Sequence, residues 1–171
     1  MWLRHLASIA LFPFTVTVIV PLWIARSSGV APAIASSPAG LAAQCAGAAA
    51  LGLGLVLFVA SLRRFAGDGQ GTLAPWDPPR RLVVRGPYRF VRNPMISGVF
   101  FVVAGEALLL QSWPHAAWTG AFLLLNMTYI PLVEEPGLRA RFGEPYREYA
   151  RHVPRVWPRL TPWHGPLEKE R

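Results

Sequence analysis

Two stretches of this 171-residue chain set arginines, tyrosines and carboxylates at close spacing. One is G-P-Y-R-F-V-R-N-P from Gly86 to Pro94; the other is E-E-P-G-L-R-A-R-F-G-E-P-Y-R-E-Y from Glu134 to Tyr149. Guanidinium groups hold anions, carboxylates hold cations or take protons, and tyrosine and asparagine supply neutral hydrogen bonds. A third chemical oddity is Glu106, alone in an apolar run, where a carboxylate costs a few kcal/mol on membrane-insertion scales and therefore faces a cavity, a partner or a proton. Glu106 and Asn126 are accordingly candidate substrate-binding residues, with helix packing through a protonated carboxyl bonded to Asn126 as the alternative.

Other chemistries are poorly supported. His5, His115, His152 and His164 are scattered without metal-ligand spacing, so no metal site is expected. Cys45 is the sole cysteine, which excludes an intramolecular disulfide, and it reads as a small buried apolar residue. Gly67-Asp68-Gly69-Gln70-Gly71 lacks both the spacing and the strand-to-helix context of a phosphate loop and reads as a linker. Arg85 and Arg89 are explained equally well by contact with anionic headgroups.

The elements that position these residues are long and greasy. Of the chain 53% is hydrophobic and 15% charged, too apolar for a solvated surface. The net charge of +8 suggests nucleic acid only until its location is read: the basic residues sit in two blocks separated by uncharged runs, the pattern of membrane loops and spans. The expected architecture is all-α, a polytopic membrane protein with about four spans, near residues 7–25, 39–62, 95–111 and 116–133, and a short C-terminal helix over 134–151. A cleaved secretory signal ending at Ala33-Ile34-Ala35 is the lesser reading of the start, because the apolar stretch is too long for one. Pro13 and Pro21 predict a bend whose freed carbonyls are satisfied by neighbouring helices. Ala42, Ala46, Ala50 and Gly54 form a small-residue stripe that predicts a packing seam.

Lys and Arg number one before the first span, one after it, seven between the second and third, none between the third and fourth and eight after the fourth. The positive-inside rule then puts both termini and the 63–93 loop on the cytoplasmic side, of the inner membrane if the source is a bacterium. Trp113, Trp118, Trp157 and Trp163 fall near the expected span ends, where indole favours the headgroup layer. The short break at Ser112-Trp113-Pro114 implies an antiparallel hairpin, which returns Glu134 to the membrane face where Asn93 starts. A pocket at that face follows from the geometry.

The same residues carry a resemblance. Gly86 and Tyr88 before Arg92-Asn93-Pro94, then Gly98, Glu134-Glu135, Leu138, Phe142-Gly143, Tyr146, Tyr149 and Val153-Pro154 before Pro158 resemble the integral membrane methyltransferases related to isoprenylcysteine carboxyl methyltransferase and the phospholipid N-methyltransferases. The resemblance spans roughly residues 71–160. It implies S-adenosylmethionine as cofactor, held by Tyr88, Arg92, Asn93, Pro94, Glu134 and Glu135, and a lipophilic small-molecule acceptor entering from the lipid bilayer. It further implies that Tyr146 and Tyr149 hold the C-terminal helix in place. Within it, Arg92 and Glu135 are the candidate catalytic residues, Glu135 as base or as stabiliser of the cationic cofactor. Asn93 stands where the family usually has histidine, Ile96 where it has an aromatic, and Ile130 where the prenylcysteine enzymes place an arginine. Two rival readings are a membrane reductase of the sterol-reductase type using NADPH, and a non-catalytic membrane protein.

Overall fold

The computed structural model describes residues 10–69 and 79–165, and among them every regular element is helical and none is a strand. A π-helical stretch Ala10–Ile19 runs into the α-helix Val20–Ser27, together α1. The α-helices Pro38–Asp68 (α2), Pro94–Leu110 (α3) and Trp113–Tyr129 (α4) follow. A π turn, Ile130–Glu134, joins α4 without a break to the last helix, Glu135–His152 (α5). The start of the expected first span, the Gln70-Gly71 end of the linker, Pro75, Pro78 and His5 lie outside the described residues.

Proline shapes α1. A proline ring offers no N–H to the carbonyl four residues back, and the wider π turns leave further carbonyls open. The Val16 carbonyl, five residues before Pro21, accepts from Trp118 Nε1 at 3.1 Å; Thr17 Oγ1 also donates to the Pro13 carbonyl at 2.8 Å and His115 Nε2 to that of Pro21 at 3.1 Å. His115 is buried and its Nδ1 lies 2.7 Å from Ser112 Oγ. Because a carbonyl can only accept, Nε2 is the donor there. What surrounds Pro13 is π winding, and α4 braces α1 through Trp118 and His115.

The most extensive packing joins α2 to α3 through small residues. A Cβ added to Gly54 would lie 2.6 Å from the Gly98 carbonyl oxygen, and one on Gly47 would lie 2.8 Å from that of Gly105. Backbone therefore meets backbone at two points, seven residues apart on each helix. This corrects the expected stripe: Ala42 and Ala46 are exposed, and the seam runs through the buried Gly47, Gly54 and Ser61. Cys45 is likewise on the open face rather than buried. A spacing of seven keeps one face toward an antiparallel partner over several turns, whereas a spacing of four drifts off it.

The hairpin between α3 and α4 is tighter than expected. Gln111 adopts φ 47°, its N–H and that of Ser112 returning to carbonyls of the last turn of α3. Ser112 then begins α4, with Trp113 and Pro114 already inside its first turn, where a missing N–H is harmless. At the other end, α4 does not stop at Val133; Pro131 is absorbed by the π turn and the helix continues. Residues Glu135–His152 extend α4 instead of forming a separate element, and the run is kinked at Gly143, whose φ is 58°, two residues before Pro145. The second helix also outlasts its apolar run, ending at Asp68, because hydropathy marks the edge of the hydrocarbon and not the end of the hydrogen-bond ladder.

Among the described residues two helices are long and apolar enough to cross a membrane: α2, with mean hydropathy 2.2, and the helical run Trp113–His152, kinked at Gly143; Phe12–Ser27 and Pro94–Leu110 are shorter apolar helices. Only 17% of the apolar window of each long helix is buried within the protein, while Val56, Leu124, Leu125 and Leu132 are each more than 60% exposed. So much apolar surface calls for lipid rather than water.

The seam makes a direct prediction. Gly54→Val or Gly98→Val should lower stability by about 2 kcal/mol, in the range of overpacked cores, measured as thermal melting in detergent. Gly52→Ala, where a Cβ meets nothing within 4 Å, should be neutral or slightly stabilising. Equal melting of all three variants would rule out close backbone packing.

Candidate functional site

The site forms where three segments meet: the turn before α3, the α4–α5 junction and the tail after α5. In the turn, Gly86 holds φ 57° against the Arg64 side chain, where a Cβ would sit 3.2 Å from Arg64 Cγ, and a 3-10 turn Gly86–Arg89 carries Tyr88 inward. Asn93 then opens α3. Its carbonyl accepts from the Ser97 N–H and hydroxyl, both at 3.1 Å, but its side chain makes no capping bond and remains available to the cavity. Pro94 supplies the first helical position and is fully buried, a packing residue rather than a wall of the cavity.

The tail is stitched to this turn by main-chain bonds. The Arg92 N–H donates to the Pro154 carbonyl at 2.9 Å, that of Arg159 to Phe90 at 2.9 Å and that of Trp163 to Arg89 at 3.0 Å. Tyr149 Oη adds a bond to the Tyr88 carbonyl at 2.7 Å. Tyr146, Tyr149, Val153 and Trp163 form a buried cluster beneath, with Leu138 and Phe142 packed on it. Trp163, expected at the headgroup layer, is instead stacked on His152 and only 8% exposed, while Trp113 and Trp157 are 80% and 82% exposed. The difference lies in the tail, which folds back over the turn and carries the indole inward.

The adjacent glutamates have opposite surroundings. The Glu135 side chain is 3% exposed and faces Arg92 Nη1 at 3.0 Å, Arg155 Nε at 2.6 Å and Arg139 Nη2 at 3.4 Å. Burial pushes the Glu135 carboxyl up, but the hydrogen bond from Arg155 and the charges of Arg92, Arg155 and Arg139 outweigh it and hold it below the usual carboxylate range. Glu134 has no hydrogen bond or ion pair among the described residues; burial, then the charge of Glu135, pushes it above the usual range. Burial also raises the Tyr88 and Tyr149 phenols, so both stay protonated.

A cavity of about 700 Å³ opens between these groups and the helices. Its polar end is lined by Tyr88, Arg92, Asn93, Glu134, Arg81 and Arg141; its apolar length runs along α4 to Trp118, past Asn126, with α1 residues Phe12 and Val16 opposite. From Glu134 to Trp118 is roughly 24 Å at 1.5 Å per residue. The buried Arg92 Nε and Tyr88 Oη have no hydrogen-bond partner among the described residues. Orphaned polar atoms in a cavity wall mark where a ligand's own polar groups fit.

Residues 42–145, more than half of the chain, match the phospholipid methyltransferase family. This chain belongs to that family. No curated protein and no solved structure matches it. The phospholipid methyltransferase match takes in the turn, both glutamates and the hairpin between them, and stops before Tyr146, Tyr149 and the tail.

Of the residues singled out in the sequence, the fold gathers Tyr88, Arg92, Asn93, Glu134 and Asn126 around one cavity, and Glu135 directly behind its wall. Glu106 is not brought there. Its Oε2 is buried without a partner, Asn126 Nδ2 donates to Phe122 on its own helix at 2.8 Å, and the two are not bonded. Near Glu106, α3 is closed directly against α4, Thr119 Oγ1 donating to the Val103 carbonyl at 3.1 Å, so the cavity passes on the α1 side. No group of three or more His, Cys, Asp or Glu that could hold a metal occurs among the described residues. Arg155 and Arg81 are not singled out by the sequence pattern, and Arg141 is marked only as part of the Glu134–Tyr149 stretch. The only signal for Arg155 was that no acidic residue stands at helical spacing to neutralise it, between Pro154 and Pro158.

The ion-pair cluster can be tested through stability. A carboxyl held low by folding contributes stability above its unfolded value of about 4.3, lost as pH falls through the folded value. Glu135→Ala should cost about 2–3 kcal/mol at neutral pH, since it strands the largely buried Arg92 guanidinium beside a half-buried Arg155, and should abolish that acid-side loss. Glu134→Gln should cost little. Detergent melting across pH 3–8 checks both, and an unchanged Glu135→Ala profile would contradict the network.

Proposed function

We propose that this phospholipid methyltransferase family member uses S-adenosylmethionine to methylate an amine on a lipophilic acceptor whose head also carries an anionic group. The observation that carries the reading is the division of the cavity: unpartnered Arg92 Nε, Tyr88 Oη, Asn93 and Glu134 at one end, and a long apolar wall beyond. S-adenosylmethionine offers a carboxylate and ribose hydroxyls, which suit the guanidinium, amide and phenol groups assembled here. When bound, it supplies an already activated sulfonium methyl, so alignment matters more than acid–base power.

Arg92 and Asn93 are suited to the donor's carboxylate and Tyr88 to a neutral acceptor atom. An ammonium acceptor must lose a proton, and Glu134 is the carboxylate suited to take it: it lines the cavity, has no hydrogen bond or ion pair among the described residues, and burial followed by the charge of Glu135 raises it above the usual carboxylate range. Glu135, the first candidate from sequence, is a poor base because three guanidinium groups stabilise its charge. Its role is to hold Arg92. Arg81 and Arg141 line the mouth and form no ion pair among the described residues, which supports an anionic head group. Asn126 sits where the acceptor's chain would lie, and Glu106 is assigned no contact with it.

Membrane placement completes the proposal. All four of α1 to α4 cross, α3 being only about 26 Å long and so reaching just short of the hydrocarbon thickness. The basic turn, the tail and the N-terminus share the cytoplasmic face by the positive-inside rule.

Membranes containing the protein, incubated with labelled methyl donor and extracted, should yield label in an amine-bearing lipid. Glu134→Gln should lower kcat by about 10²-fold or more while leaving donor affinity within a few fold. Tight NADPH binding with none of the methyl donor would reverse the assignment in favour of a reductase.

A further inference from the structure

Arg92 is held by the tail twice over. Its main-chain N–H donates to the Pro154 carbonyl at 2.9 Å, and its side chain meets Glu135 Oε1 at 3.0 Å. That same oxygen accepts from Arg155 Nε at 2.6 Å, and Arg155 Nη2 reaches Glu135 Oε2 at 2.9 Å. The dipeptide Pro154-Arg155 thus fixes both ends of Arg92, its backbone directly and its guanidinium through a carboxylate. Two parallel bonds from a planar fork define the carboxylate's orientation as one bond from a lysine cannot. Arg139 contributes much less: its side chain is 54% exposed and its single contact is 3.4 Å.

The shared carboxylate also solves an electrostatic problem. Arg92 and Arg155 carry like charges against the two oxygens of one buried group, and only the intervening anion lets both stay. With Nη1 committed to Glu135, Arg92 still presents a buried Nε without a protein partner in the cavity wall.

We propose that Arg155 is a positioning residue for the methyl-donor site, acting through Glu135 to hold Arg92 at the cavity wall. This rests on the methyltransferase reading above. Arg155 itself does not line the cavity and needs no contact with donor or acceptor. The tail, beyond the stretch that matches the family, is on this view part of the donor site.

The test is calorimetric binding of S-adenosylhomocysteine to the full-length protein in detergent, alongside methyl-transfer kinetics. Arg155→Ala should weaken binding about ten- to hundredfold, the loss expected for a charged hydrogen bond, and raise the donor KM more than it lowers kcat. Arg155→Lys should recover part of the loss. In a Glu135→Gln background, Arg155→Ala should have little further effect, because the path runs through that carboxylate. The acid limb of binding should move to higher pH in Arg155→Ala, since Glu135 then keeps only Arg92 and Arg139 as cationic neighbours against Glu134 and the Tyr146 phenol. Should Arg155→Ala not fold, Arg155→Lys, which keeps charge without the fork, must show the same shift in smaller measure. Wild-type affinity in these variants, or losses additive with Glu135→Gln, would overturn the role of Arg155 while leaving the methyltransferase reading intact. If the wild-type protein binds neither donor nor its demethylated product, both fall together.

Discussion

Everything at the candidate site turns on one buried carboxylate. Glu135 is the point where the turn before α3, the end of the α4 rod and the tail are held together, because each contributes a charge to it. Removing a carboxylate from water is costly, and the cost is offset only when its oxygens are well matched by hydrogen-bonding cations. Here one oxygen takes Arg92 and Arg155 and the other takes the second prong of Arg155. Such a cluster tolerates few alternative arrangements. It therefore fixes the distance between two segments more than forty residues apart in sequence, and with it the width of the cavity mouth.

That cluster could not form without the helix packing beneath it. Lipid gives helices no hydrophobic reason to associate, so close contact must come from shape. The facing pairs Gly47 with Gly105 and Gly54 with Gly98 bring α2 and α3 within backbone contact, and the two-residue hairpin then fixes α4 beside α3. The cavity survives on the other side, where α1 is π-wound and where Trp118 and His115 bond to its carbonyls instead of a second glycine seam closing the gap. Tight packing on one flank and polar bracing on the other leave an apolar channel between them.

Much of this was readable from residue order. A hairpin with a two-residue turn forces its outer ends to one face, so Arg92, Asn93, Glu134 and Glu135 had to converge whatever the details. The details depended on contacts without sequence period. Small residues are so frequent in α2 that several stripes are available; only the seven-residue spacing of Gly98 and Gly105 on α3 selects Gly47 and Gly54 over Ala42 and Ala46. Arg155 and Trp163 were unreadable because the tail is placed by main-chain bonds to residues 89–92, and main-chain bonds leave no mark on side-chain pattern. The place of Glu106 relative to the cavity was unreadable for the opposite reason. Its chemistry was conspicuous, but composition does not tell on which flank of a helix a cavity opens.

The two neighbouring glutamates show how one sequence pair supplies two functions. Consecutive residues on a helix point about 100° apart, so a junction between a protein-packed face and a cavity sends them into different media. Glu135 enters the side filled by guanidinium groups and is kept charged; Glu134 enters the cavity, where burial and the charge next door oppose its ionisation. The fixed anion thereby tunes the free one. The π turn Ile130–Glu134 sits immediately before this pair, and an extra residue per turn rotates all that follows by roughly 100°. Without that turn Glu135 would be carried off the arginine cluster, so the winding around Pro131 is what assigns each carboxylate its side.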